Sequence, residues 1–236
     1  MSILKQKRFW KQATAHPRNG GYGVMLDERA VNTPNKSPLI VPTLQMAEAI
    51  AVEWDAQSEK IDPLSMPVTR SANSALDKVL SQQTEVVGML AEYGGCDLLC
   101  YRAGAPVELN ALQAAAWDSV LDWAAVEFGI RLLVTEGVIH VPQDSVLLEK
   151  LHAQVASFDH FALVGVHDLV CVSGSLILAL AVTGGELSVA EAWGKSRVDE
   201  HWQASQWGDD SDASANEELK KQAFAHADRF YRLSMT

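Results

Sequence analysis

The residues that could do chemistry in this sequence form two clusters, each of which places a tryptophan beside carboxylates and an amide. The first covers residues 53–57 (EWDAQ) and is followed by Arg70, and the second covers residues 199–203 (DEHWQ) and is followed by Trp207. Tryptophan and arginine are the residue types most enriched at the energetic centres of protein interfaces. Neither cluster contains a serine or cysteine nucleophile, so we predict specific non-covalent contacts and not covalent catalysis.

The second cluster ends a predicted helix over residues 186–207. Trp193, Arg197, Glu200 and Trp207 recur at spacings of three, four and seven residues, which places them on one helical stripe. Arg197 and Glu200 are three residues apart and can form an ion pair. The stripe has two interpretations: a buried, paired arginine and glutamate in a core helix, or a charged groove with aromatic edges that binds a partner segment. The residue types alone leave both open.

The first cluster ends another predicted helix, which Thr43 caps and in which Trp54 lies on the apolar stripe. Asp55 and Gln57 follow at the helix end, where an acid is unfavourable beside the negative end of the helix dipole. A specific partner such as Arg70 would offset that cost. We therefore predict that polar residues of this cluster, together with others further along the chain, form the junction between two domains. The residues assigned to this junction are Asp55, Gln57, Arg70, Asp97 and Arg102.

Three other motifs imitate known sites. The GKS at residues 194–196 lacks the first glycine of a phosphate loop and lies inside a helical pattern. The GGYG at residues 20–23 has no βαβ unit after it, and its glycines suit a hairpin turn. No Gly-x-Ser-x-Gly motif occurs. The sequence therefore predicts no enzyme, no catalytic residues and no cofactor.

The cysteines are predicted to be free thiols. Their number is odd, and Cys96 and Cys100 have helical spacing instead of the spacing of a zinc site. We interpret them and Cys171 as small buried apolar residues, and we predict no metal site. His167, four residues before Cys171, shares its helix face and is interpreted as a core histidine.

Composition limits the partners. The 236 residues carry a net charge of −11, which argues against binding to a nucleic-acid backbone. The longest apolar run, residues 169–182, is too short to span a membrane and is interrupted by serine and glycine. The first nine residues lack the apolar segment of a signal peptide. These features predict a cytoplasmic protein without membrane insertion.

Hydrophobic periodicity predicts an α+β fold. Residues 5–41 resemble short strands linked by hairpins, with runs at 8–14 and 22–26 on either side of a turn, and residues 60–68 resemble an extended segment between Pro63 and Pro67. A small N-terminal antiparallel β-domain, residues 1–42 or as far as 68, therefore precedes a larger mainly helical domain, residues 69–236. A small β-hairpin is expected near residues 131–141. The further helices are predicted at 70–92, 108–128, 143–157, 159–183, 186–207 and 214–233.

Several segments, in this order, resemble one known family, the assembly chaperones of the ATP synthase catalytic head that are called the "ATP-twelve" type. Each segment alone is weakly specific, whereas their order and spacing over about residues 8–210 are specific. The segments are RFWK at 8–11, GYGVMLDER at 21–29, TP at 33–34, EWDAQ at 53–57, MPVTR at 66–70, DLLCYR at 97–102, SLILALA at 175–181 and WG at 207–208.

The resemblance implies a non-enzymatic chaperone that binds the unassembled alpha subunit and shields its subunit interface until the beta subunit displaces it. It also implies the same α+β fold, a monomer without cofactor, and a mitochondrial matrix location for eukaryotic relatives. Because an acidic residue of the late helix is implicated in the family, Glu200 is matched to it, with Asp199 as the alternative in register. The residues assigned to partner binding are Glu200, Asp199, Arg197, Gln203, Trp207 and Trp193. The alternative function is a small-molecule-binding protein or hydrolase that uses a cleft between the β-domain and the helices.

Overall fold

The structure is a computed structural model that describes residues 7–129, 131–208 and 211–235, with the side chain of Ser211 left out. Within these residues a four-stranded antiparallel sheet precedes a mainly helical remainder, so the predicted α+β class is confirmed. The strands are β1 (Ala13–Arg18), β2 (Gly21–Leu26), β3 (Arg29–Ala30), β4 (Ile40–Val41), β5 (Tyr101–Arg102) and β6 (Thr135–Glu136). The α-helices are α1 (Leu44–Asp55), α2 (Pro67–Asp77), α3 (Gln83–Glu92), α4 (Val107–Glu127), α5 (Ser145–Ala156), α6 (His160–Ser173), α7 (Leu176–Thr183), α8 (Val189–Ser196), α9 (Val198–Trp207) and α10 (Ser211–Met235).

The chain divides into two compact units. Unit 1 consists of Met1–Gln83, Asp159–Gly165 and Arg229–Thr236, and unit 2 consists of Thr84–Phe158 and Val166–Asp228. This division differs from the sequence-based boundary at residue 42 or 68, because α1 and α2 belong with the sheet. A sheet with one apolar face must bury that face against helices. The core of unit 1 accordingly joins strand residues to α1, α2 and the two later segments.

The sheet of unit 1 is built on a tight hairpin. Strands β1 and β2 pair in antiparallel register as far as Arg18 and Gly21, so Asn19 and Gly20 form a two-residue turn, in which Gly20 has φ +89°. The sequence placed the first strand at residues 8–14, which is wrong at both ends, because the pairing with β2 begins at Ala13 and continues to Arg18. Strand β1 lies at the edge of the sheet, where a proline is tolerated.

The helices of unit 1 begin at recognisable caps. The hydroxyl oxygen of Thr43 accepts a hydrogen bond from the Met46 N–H (3.1 Å), as the sequence predicted for α1. The extended segment predicted for residues 60–68 is wrong at its end, because α2 starts at Pro67. Proline suits the first turn of a helix, where its missing N–H costs no hydrogen bond.

Three of the long helices predicted from the sequence are interrupted. The segment 159–183 divides into α6 and α7 at Gly174, whose φ of +77° ends α6, and the Ser175 hydroxyl then caps α7 by accepting the Leu178 N–H. All residues from Leu176 to Val182 are buried, so α7 forms the centre of the unit 2 core. The segment 186–207 divides at Arg197, and the segment 70–92 divides between α2 and α3.

The hairpin predicted near residues 131–141 is wrong. Strand β6 pairs with β5 in parallel, with Tyr101 opposite Thr135 and Arg102 opposite Glu136. The two runs within this range that would have paired, 131–134 and 138–141, lie outside the strands, and Val138 and Ile139 are 96% and 77% exposed. Through residues 7–129, 131–208 and 211–235, none of the helices is both long and apolar enough to span a membrane.

Candidate functional site

The first tryptophan–acid–amide cluster makes its hydrogen bonds inside unit 1. The Glu53 carboxylate accepts hydrogen bonds from the backbone N–H of Val68 (2.7 Å) and Thr69 (2.8 Å), and also from the Thr69 hydroxyl (2.7 Å). It thereby satisfies free donors at the N-terminus of α2, where a negative charge is favourable. Glu53 is thus a helix cap supplied from a distant part of the chain.

Asp55 and Gln57 also bond within unit 1. The Asp55 carboxylate accepts the Ala13 N–H (2.8 Å) and lies 3.5 Å from the Arg8 guanidinium. The cation beside Asp55 is therefore Arg8, whereas Arg70, the suggested partner, lies exposed on α2. The Gln57 amide is buried and cross-links the chain from Glu53 to Ser65, and its oxygen accepts the Asp62 N–H (2.7 Å).

The other two residues assigned to a domain junction lie in unit 2. Asp97 is fully buried, and its carboxylate accepts the Leu99 and Ile177 N–H groups at 3.0 Å each. Burial raises the pKa of Asp97 to about 6, although these hydrogen bonds oppose the shift. Arg102 is buried and bonds to Asp118 (2.7 Å). The contacts described for each of the five junction residues lie inside that residue's own unit, so their role between domains stays a prediction.

The second cluster is organised by Arg197, which lies between α8 and α9. Its buried guanidinium donates to the Glu200 carboxylate (2.8 Å) and to the Val172 carbonyl at the end of α6 (3.1 Å). The guanidinium carbon also lies 4.9 Å from the ring centre of Trp193, close enough for a cation–π contact. A cation is favourable at the C-terminus of a helix, so Arg197 caps α6 as well as pairing with Glu200.

The remaining residues assigned to partner binding differ in exposure. The Glu200 side chain is 51% exposed, Gln203 is exposed, and Trp207 is 80% exposed at the end of α9. Asp199 is fixed from α4, because the buried amide of Gln113 donates to its carboxylate (2.6 Å). Trp193 is buried against Phe224 and therefore supports Arg197 instead of offering a surface.

Four of these six residues line one cleft in unit 2. The cleft has a volume of about 520 Å³ and is partly open to solvent. Its lining combines an ion pair, a second carboxylate and an amide with backbone at the end of α6, which suits recognition of a polar or charged group. Among the described residues, no group of three or more His, Cys, Asp or Glu side chains could hold a metal ion. The lining residues are Leu98, Trp117, Cys171, Val172, Ser173, Gly174, Ser196, Arg197, Asp199, Glu200 and Gln203.

Sequence reasoning missed two parts of this site. Gln113 looked like an ordinary polar residue of a helix, and no local signal indicates that it reaches Asp199. Cys171 was interpreted as buried but is exposed at the cleft, and His167 contacts it and is only partly buried. Their spacing of four residues on α6 was the available signal. Cys96 is likewise exposed, and Cys100 alone of the three is buried.

Comparison with known proteins places this architecture among chaperones. The family model described as "ATP12 chaperone protein" matches residues 7–125. A crystal structure of Atp12 from Paracoccus denitrificans is 50% identical over 97% of this chain and 98% of its own, with a TM-score of 0.94. The Atu1473 protein of Agrobacterium tumefaciens, a proposed chaperone, is 37% identical over 98% of this chain and 86% of its own, with a TM-score of 0.92.

A curated relative is more distant in sequence. "Protein atp12, mitochondrial" of Schizosaccharomyces pombe is 24% identical, over 94% of this chain and 81% of its own length. The family-model match and the 50% identity to a solved Atp12 agree with the resemblance seen in the motifs. The chain therefore belongs to the ATP12 chaperone family, the ATP synthase assembly chaperones that its motifs resemble.

Proposed function

We propose that this chaperone binds the unassembled alpha subunit of the ATP synthase catalytic head and shields its subunit interface until the beta subunit displaces it. The observation that carries the proposal is the state of Glu200. This carboxylate is held at one oxygen by Arg197, is half exposed, and lies at an open cleft in a member of an assembly-chaperone family. An acid fixed in this way can accept a cationic group from a partner without rearrangement.

The physical requirement on such a chaperone supports the same conclusion. A subunit interface exposed before assembly is apolar with charged positions and is prone to aggregate. Its chaperone needs exposed apolar contacts together with polar groups that match the charges. Trp207 supplies an exposed aromatic surface four residues after Gln203, and Glu200 and Asp199 supply fixed negative charge. This combination favours protein binding without catalysis.

The alternative is a small-molecule-binding protein or hydrolase. The observation in its favour is the cleft volume, which lies within the ordinary range for small-molecule sites, with Asp199 and Glu200 both in its lining. However, each carboxylate already has a fixed partner, Gln113 or Arg197, so neither is arranged as a free general base. Protein capture is therefore the better-supported function.

The proposal also includes the setting in which capture occurs. We expect a cytoplasmic monomer, because the sequence features predict a cytoplasmic protein and the resemblance to the family implies a monomer. A monomer would leave the surface around Glu200 available to a client. Analytical ultracentrifugation of the purified chain would establish the oligomeric state.

The test is charge reversal at Glu200. Glu200→Lys should lower the amount of isolated alpha subunit captured in a pull-down by about tenfold or more, because it places a second cation beside Arg197 where the client needs an anion. Glu149→Lys makes the same charge change on an exposed position of α5 outside the cleft and serves as the matched control. Equal capture by wild type and a folded Glu200→Lys variant would contradict the proposal.

A further inference from the structure

A cysteine, a histidine and an aspartate form a connected group on α6. The thiol sulfur of Cys171 lies 3.5 Å from Nε2 of His167, and Nδ1 of His167 lies 2.9 Å from the Asp168 carboxylate. Residues four apart lie on the same helix face, so α6 itself imposes the first contact. The Tyr93 hydroxyl approaches the same sulfur to 3.9 Å. Cys171 is exposed and lines the cleft of unit 2.

This arrangement favours the charged pair of a thiolate and an imidazolium. The hydrogen bond from His167 lowers the pKa of the Cys171 thiol more than burial raises it, and Asp168 and Cys171 together raise the pKa of His167. The titratable groups that act on Cys171 are His167 and Asp168 on α6 and the neutral Tyr93, while the charged residues Arg197, Asp199 and Glu200 line the same cleft.

The other two cysteines are built-in controls. Cys96 is also exposed, but partial burial and the nearby Asp97 and Glu92 raise the pKa of its thiol. Cys100 is buried, and burial raises the pKa of its thiol to about 12. Accessibility alone would therefore make Cys96 and Cys171 similar, whereas the histidine distinguishes them.

We propose that Cys171 is a thiol-modification site that His167 activates toward low-molecular-weight disulfides entering the cleft. The Cys171 thiolate attacks one sulfur of the disulfide, a new sulfur–sulfur bond forms, and the original one breaks. Cys171 is oxidised to a mixed disulfide, and the departing half is reduced to a thiolate, which takes a proton from water. The adduct then occupies part of the cleft beside Arg197 and Glu200.

The experiment compares the two exposed thiols in the full chain. Cys96→Ser leaves Cys171 as the exposed thiol, and Cys171→Ser leaves Cys96. The two variants react with 5,5′-dithiobis(2-nitrobenzoate) at about pH 6, and the release of thionitrobenzoate measures the rate. The rate should be about tenfold faster for Cys96→Ser than for Cys171→Ser, because an ordinary thiol is almost fully protonated at this pH. An equal or slower rate in Cys96→Ser would overturn the proposal.

A second variant separates activation from accessibility. Adding His167→Gln to Cys96→Ser keeps a polar side chain of similar length but removes the cation, and should slow the reaction about tenfold near pH 6 while the rates converge at about pH 10. An unchanged pH profile in a variant with wild-type circular dichroism would overturn the role of His167.

In the wild-type chain, incubation with glutathione disulfide and peptide mass mapping should find the adduct on Cys171 before Cys96; the reverse order would also overturn the proposal.

Discussion

Glu53 and Glu200 belong to clusters of nearly the same composition but lie in opposite environments. The Glu53 carboxylate accepts three hydrogen bonds from Val68 and Thr69, all inside unit 1. Glu200 has one described partner, Arg197, and half of its side chain remains exposed. The same grouping of tryptophan, acid and amide therefore serves as internal structure in one place and as available surface in the other.

The number of satisfied acceptor sites, more than the residue types, therefore separates a structural acid from one that can bind a partner. A carboxylate has about four lone-pair positions, and each position occupied by the protein's own donors is lost to a client. Gln57 repeats the contrast with Gln203: the first is buried with three hydrogen bonds, and the second is exposed.

Asp97 extends the comparison to a fully buried acid, and it should have the largest effect on the unfolding free energy. Because its folded-state pKa is raised to about 6 from an ordinary value of 3.8, protonated Asp97 stabilises the fold below pH 3.8, and this stabilisation is lost as the pH rises to about 6. The unfolding free energy of wild type relative to Asp97→Asn should fall by about 3 kcal/mol across that window. Urea unfolding at several pH values measures this difference; a constant value would contradict the assignment.

Substitution of Glu53 should have the second-largest effect on the unfolding free energy. Glu53→Ala removes the cap of α2 and leaves the Val68 and Thr69 N–H groups without their acceptor, so we expect a loss of about 2 kcal/mol in unfolding free energy. Glu48→Ala, at an exposed position on the same helix, is the matched control. Capture of the alpha subunit by the folded variant should match wild type, and a loss of capture would show that Glu53 also contributes to partner binding.

Glu200 should have the smallest effect on stability. Glu200→Gln keeps an acceptor for Arg197 and removes an exposed charge, so the unfolding free energy should change by less than about 0.5 kcal/mol. A change as large as that expected for Glu53→Ala, measured by the same urea titration, would show that the two clusters are both structural.

Most of the fold could be predicted from local patterns. The Thr43 cap and the apolar stripe of α1 depend on residues close in sequence, and so does the hairpin turn at Gly20. The breaks in the long helices were missed, because an apolar run such as that around Gly174 has the same periodicity on both sides of the break. The cap that Glu53 provides to α2 depends on a separation of 15 residues or more, which no local pattern reports.

The candidate site was predictable in its residue types but not in its contacts. The pair of Arg197 and Glu200 followed from helical spacing and is present, even though the helix breaks at Arg197. Gln113 lies 86 residues from Asp199, so its contact could only come from the tertiary structure. The exposure of Cys171 likewise depends on how α6 ends at the cleft, which hydrophobic periodicity alone does not determine.

The hydrogen bonds that Arg197 donates to both Glu200 and Val172 have a consequence for release of the client. A cationic group that reaches the other oxygen of Glu200 meets the positive charge of Arg197, which cannot turn away without giving up its hydrogen bond to the Val172 carbonyl at the end of α6. The protein thus contains an internal cation beside its own acidic group, at an effective concentration that no dilution reduces. Such a cation lowers the affinity for any incoming cation and shortens the lifetime of the complex, which suits a chaperone that must surrender its client.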